Sequence, residues 1–186
     1  MSFKRTLVRV ALVASAGMAI AMPAAAADLP PALLAKLVVK ILPYDQSLAS
    51  RTHSMKVLVL FKSGSVDSED TAKAIASGLR ESAGTAIQGT PLSVSKAAYE
   101  GADSISQCAA VFIAPGLAGQ AGAIAEAAAA KGAITFSGSL AATRAGSVVG
   151  LVAEDGTPKI YINLPSAKRA GAEFSPGFLN LAQVLR

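Results

Sequence analysis

The sequence predicts an α/β domain of three layers, a mostly parallel sheet flanked by helices and completed by a C-terminal antiparallel hairpin and a terminal helix. Three observations carry this expectation. Short apolar runs, MKVLVLF at Met55 to Phe61, AAVFIA at Ala109 to Ala114, and Ile134 to Phe136, have strand length and no polar face, as strands buried on both sides do. Helical patterns separate these runs, which is the alternation of parallel strands with crossover helices. Finally, Ser147 to Ala153 and Lys159 to Leu164 flank Asp155-Gly156, a pair that readily supplies the positive φ of a tight hairpin turn.

At the N-terminus, Lys4, Arg5 and Arg9 precede the apolar run Val10 to Met22, and Ala24 to Ala27 offers small residues for cleavage. This is the layout of a secretory signal peptide over residues 1–27. The apolar run is shorter than the ~20 residues a spanning helix needs. The expected product is therefore one domain over residues 28–186, exported to the periplasm or the equivalent extracellular space. Three of the 17 Lys and Arg lie in the leader and none of the 12 Asp and Glu, so the exported chain carries a formal net charge of only +2. With no basic cluster and no aromatic platform, nothing points to nucleic acid.

The elements follow in order. Pro30-Pro31 opens a helix in which Leu33, Leu34, Leu37, Val38, Ile41 and Leu42 keep a 3.6-residue period, Lys36 and Lys40 share another face, and Pro43 ends it. After the first strand, Lys62 to Ser65 is a loop, and Ser68 to Glu81 reads as a helix with Ser68 as N-cap and Glu69 and Asp70 in the first turn. Gln88 to Ser106 has the weakest pattern. There Leu92 and Val94 alternate with Ser93 and Ser95 as in a short half-buried strand, and Lys96 to Ser104 has room for a helical turn. Ala118 to Lys131 is alanine-rich and helix-prone, with Gly132 to stop it. Ser137-Gly138-Ser139 then leads into Leu140 to Thr143. Beyond the hairpin, Pro165 suits the first turn of a short helix, Ser166 to Ala170, ended by Gly171. A last helix fits Pro176 to Leu185, with Ser175 as N-cap and Phe178, Leu179, Ala182 and Leu185 on one stripe.

Residue inventory argues against catalysis. His53 is the single histidine and Cys108 the single cysteine, so neither a His/Cys zinc site nor an intramolecular disulfide can be assembled. Cys108 precedes an apolar strand, where a small buried hydrophobe is the ordinary reading and a free thiol or intermolecular bridge the alternative. No G-x-S-x-G elbow and no nucleotide-binding glycine loop is present, so the chain is read as a non-enzyme without cofactor or metal. Open α/β sheets bind ligands beyond the carboxyl ends of their strands, which singles out the loops Lys62 to Asp67, Pro115 to Gln120 and Ser137 to Ser139. Tight turns and caps are the ordinary explanation of their Gly and Ser. The stronger candidate for recognition is basic: Lys168 and Arg169 on the short C-terminal helix, with Arg144 just before the hairpin, could receive an acidic partner segment if they converge. Lys36, Lys40 and Tyr44 offer a second surface. For all six, a solvated face is the competing reading.

A strand ending in Glu154-Asp155-Gly156, a second ending in Ile162-Asn163-Leu164, the basic helix Ala167-Lys168-Arg169-Ala170-Gly171 and a Ser175-led terminal helix together resemble the end of the YfiR-like family of periplasmic proteins. The early amphipathic helix running into Leu42-Pro43-Tyr44-Asp45 resembles its opening, although the family often shows Trp-Pro there and this chain has no Trp. The resemblance implies a non-catalytic regulator that binds the periplasmic sensor region of a membrane-bound diguanylate cyclase and represses it, with homodimerisation. It also implies a cysteine pair, whose earlier member is absent here. The competing functional class is a periplasmic small-molecule-binding protein serving a transporter or sensor.

Overall fold

The computed structural model describes residues 28–51, 55–82, 87 and 89–186. The leader expected over residues 1–27, and His53, lie outside the described residues. Strands β1 (Lys56–Lys62), β2 (Ser93–Tyr99), β3 (Ala110–Ile113), β4 (Ile134–Ser137), β5 (Val149–Glu154), β6 (Thr157–Asn163) and β7 (Gln183–Leu185) form one sheet in the order β2-β1-β3-β4-β5-β6-β7. Pairing is parallel from β2 through β5, antiparallel between β5 and β6, and parallel again between β6 and β7.

The apolar runs are buried because both faces of the sheet are covered. Val57 and Val59 of β1 and Phe112 of β3 enter one core, shared with α1 (Pro31–Ile41), with Leu48 of the one-turn α2 (Leu48–Arg51) and with α3 (Val66–Ser82). Their neighbours Leu58, Leu60, Val111 and Ile113 enter a second core with Ile124 and Ala128 of α4 (Ala121–Ala129). This is the period-2 alternation of strands applied to two hydrophobic layers. The three-layer α/β architecture follows. Helix α1 docks closely on α3 because the contact is made by small residues: a Cβ added at Gly78 would stand 2.9 Å from the Cβ of Ala35.

The hairpin forms as the sequence predicts, with Asp155 (φ 50°) and Gly156 (φ 72°) both left-handed, the geometry that matches the twist of two antiparallel strands. Only β6 and β7 run against the rest, because β5 itself continues the parallel sheet beside β4. Asn163 caps the next helix, α6 (Leu164–Arg169), accepting from the Ser166 amide at 3.1 Å. Its amide also donates to the carbonyl of Thr143 at 2.8 Å, tying α6 to α5 (Leu140–Arg144).

Three expectations are corrected. The terminal helix exists but is one turn, α7 (Pro176–Leu179), capped by Ser175; Gln183–Leu185 is a strand on the edge of β6. The open edge of β6 offers Gln183–Leu185 a ladder of hydrogen bonds in place of further helix, while Leu179 and Ala182 still pack against the core. Lys96 to Tyr99 belongs to β2, and helical geometry is confined to a 3-10 turn at Ala102–Ser104. Ser68 lies inside α3. The capping role falls to Ser65, whose Oγ accepts from the Ser68 amide at 3.4 Å, while the Ser68 hydroxyl accepts from Lys62 N–H at 2.9 Å and donates to the Pro115 carbonyl at 2.6 Å.

Gly150 is required by its neighbour. A Cβ there would lie 2.3 Å from Oγ1 of Thr143, a buried side chain that donates to the Ser139 carbonyl. Gly150→Ala is therefore expected to destabilise the domain by about 1–3 kcal/mol, read from the urea unfolding midpoint. An unchanged midpoint would contradict the packing of α5 on β5.

Candidate functional site

Two concave regions stand out. The first is a cavity of about 400 Å³ at the carboxyl ends of β3 and β4. Two of the loops singled out by the sequence line it, through Pro115 and Gly116 and through Ser137 to Ser139. The remaining wall is Leu34 in the first turn of α1 and Leu29 in the segment leading into it, together with Thr71 of α3. The Lys62 to Asp67 loop does not line it, although the Lys62 stem runs beside Gly116.

The second is a shallow hollow of about 510 Å³ beside the edge strand β7. Arg144 at the end of α5 and Arg169 at the end of α6 both line it, along with Asn163, Val184 and Arg186. The Asn163 link from α6 to the Thr143 carbonyl explains why residues 25 positions apart meet: it holds the C-terminal turn of α5 against the N-terminus of α6. Arg169 is oriented by donating to Ser166 Oγ at 2.9 Å. Neither Arg144 nor Arg169 has a carboxylate partner among the described residues.

The other named residues are elsewhere. Lys168 is exposed on α6 but does not line the hollow. Lys36 and Lys40 are exposed on α1. Tyr44 is 44% exposed and stacks on Phe178 of α7, ring centroids 4.8 Å apart and nearly parallel at 11°. Thus the structure joins Arg144 to Arg169 and joins Tyr44 to the C-terminal segment. Arg186 and Val184 were not foreseen, since reading the tail as helix removes them from any sheet edge. Asp45 was not foreseen as a structural centre, although Asp45-Gln46-Ser47 carries the signal of a side-chain-closed turn.

Cys108 is fully buried. Burial pushes its thiol up to about 11 from 9.0, with the positive charges of Lys56 and Lys131 pulling the other way. Among the described residues no cluster of His, Cys, Asp and Glu could hold a metal ion, and no helix is long and apolar enough to cross a membrane.

The YfiR/HmsC-like family model matches residues 32–183. The chain belongs to this family. At family level, membership supports a periplasmic regulator of cyclic-di-GMP signalling. No curated protein matches the sequence. Among solved structures, a domain in complex with L-Trp from Streptococcus pneumoniae shares the fold with a TM-score of 0.59 at 14% identity, over 81% of this chain and 60% of that one. A conserved domain protein from Vibrio cholerae aligns with a TM-score of 0.58 at 16% identity, over 86% and 62%. The ligand-free, open structure of a substrate binding protein with adhesive properties from Clostridium difficile aligns at 0.54 and 10% identity, over 76% and 58%. The YfiR/HmsC-like chain therefore spans about three fifths of the length of these structures, and the likeness is one of fold.

The raised Cys108 pKa has a measurable consequence. A thiol whose folded pKa exceeds its unfolded value stabilises the fold fully below pH 9.0, and this contribution is lost as pH rises toward about 11. At pH 8 the native thiolate fraction is then about a hundredfold below that of the unfolded chain. Reaction with a chromogenic disulfide reagent should be slow in native protein and rapid in denaturant. Fast native labelling would contradict the burial.

Proposed function

We propose that this YfiR/HmsC-like protein is a non-catalytic regulator, exported by a cleaved leader, that binds the periplasmic region of a membrane-bound enzyme of the diguanylate cyclase type and represses it. Family membership carries the reading. The surface that fits it best is the hollow of Arg144 and Arg169. Two guanidiniums without carboxylate partners among the described residues flank a sheet edge, so an acidic partner segment lying along β7 gains bidentate carboxylate contacts while its backbone extends the sheet. Lys168 extends the positive field at the rim, where charges act mainly on association rate. Lys36, Lys40 and Tyr44 form the proposed second contact region, next to which a homodimer partner or the same target would bind.

Arg144→Glu combined with Arg169→Glu tests the surface. Capture of the membrane-bound partner from solubilised membranes should fall about tenfold or more, the melting temperature should stay within a degree or two of the wild type, and cellular cyclic-di-GMP should rise to the level of a deletion strain. Undiminished capture by a folded charge-reversed protein would rule out the surface. A deletion strain with unaltered cyclic-di-GMP would rule out the function.

A further inference from the structure

The cavity at the ends of β3 and β4 is separate from the arginine hollow and has walls suited to a small molecule. Its volume of about 400 Å³ falls within the range of ligand pockets. Leu29, Leu34, Phe112 and Ala142 make most of its lining apolar. Its polar groups are hydroxyls with a donor to spare. Ser137 Oγ accepts from the Ser139 amide at 3.1 Å, and Ser139 Oγ accepts from the Ala142 amide at 3.4 Å. Each bond uses a lone pair and leaves the hydroxyl hydrogen, for which neither serine has an acceptor among the described residues. Ser137 is also almost wholly buried, 2% exposed.

Charge narrows the occupant further. Among the described residues the single charged side chain lining the cavity is Asp28, and no cationic side chain lines it. A carboxylate there would be desolvated without a counter-charge and would face Asp28, whereas a neutral oxygen accepts from the serines at far smaller cost.

We propose that this cavity is a binding site for a compact neutral organic molecule, with an apolar ring or chain as body and a hydroxyl or carbonyl oxygen as head. The head accepts from Ser137 and Ser139, and the body lies against Leu34 and Phe112. Because Leu34 belongs to the first turn of α1 and Leu29 to the segment leading into it, an occupant fills the space between that helix and the strand ends, and so stabilises α1 in its docked position.

Calorimetric titration of the purified protein with benzyl alcohol, benzoate and benzylamine, one ring with three heads, tests this. Benzyl alcohol is expected to bind about tenfold or more tighter than either charged probe. Ala118→Phe, which places a ring in the cavity from an exposed position on its wall, should weaken benzyl alcohol about tenfold or more. Thr71→Leu fills the opposite wall from α3 and gives the same loss should the first variant fail to fold. The Arg144→Glu, Arg169→Glu protein should bind benzyl alcohol as the wild type does, so failure of partner capture and failure of this site are distinguishable. The proposal is overturned if benzyl alcohol does not bind at millimolar concentration, if a charged probe binds as tightly, or if a folded cavity-filled variant binds undiminished.

Discussion

The carboxylate of Asp45 holds the two ends of the domain together. It is fully buried, and its Oδ1 accepts from the Ser47 amide at 3.1 Å, the Ser47 hydroxyl at 2.7 Å and the Glu173 amide at 3.1 Å. A buried carboxylate is tolerated only when donors replace its water, and here one of those donors comes from 128 residues further along the chain. Backbone bonds repeat the link: Gln46 N–H to the Glu173 carbonyl at 2.8 Å, Ser175 N–H to the Tyr44 carbonyl at 3.1 Å, and an antiparallel bridge between Asp45 and Phe174. The Ser47 hydroxyl is also within 2.7 Å of the Gly171 carbonyl. Around this polar centre Tyr44 stacks on Phe178 and Phe174 packs tilted against the same ring, so the latch is sealed by aromatic surface.

Much of the functional geometry depends on that latch. The end of α1 is fastened to the segment between α6 and α7, so the basic residues of both helices ride on one body. The sheet supplies the rest of the rigidity. Its strands β1, β3 and β4 are buried on both faces, and β3 and β4 present their carboxyl ends to the cavity, which the start of α1 helps to wall. At the opposite end of the strand order, β7 leaves an edge beside Arg144 and Arg169. A protein that works by presenting surfaces needs such rigidity, because ordering a mobile surface on binding would subtract from affinity.

What was legible in the sequence was what local physics decides. MKVLVLF and AAVFIA could be placed because a strand covered on both faces has no polar side, and Asp155-Gly156 because few residues take positive φ cheaply. The tail was not legible for the converse reason. Phe178, Leu179, Ala182 and Leu185 do fit a helical stripe, but Gln183 to Leu185 is claimed by the open edge of β6, a pairing that no local window contains. β2 was obscured in the same way, since SVSKAAY at a sheet edge is only half-buried and takes its register from β1. Arg144 and Arg169 could be named from sequence as basic residues near the hairpin. Their convergence depends on Asn163 reaching Thr143, which is a tertiary fact. The loops at Pro115 and Ser137 were found by the rule that sheets bind ligands at strand ends, whereas the wall supplied by Leu29 and Leu34 depends on where α1 docks.

The claim on which the rest hangs is that Asp45 fastens α1 to the C-terminal unit. Hydrogen exchange of Asp45→Ala measures it directly, because a lost latch lowers the free energy of opening only in the elements it joins. Protection should fall together in α1 and across residues 164–185, with β1, β3 and β4 retaining theirs. Loss confined to residues 42–51, with α6 and β7 protected as in the wild type, would contradict the account.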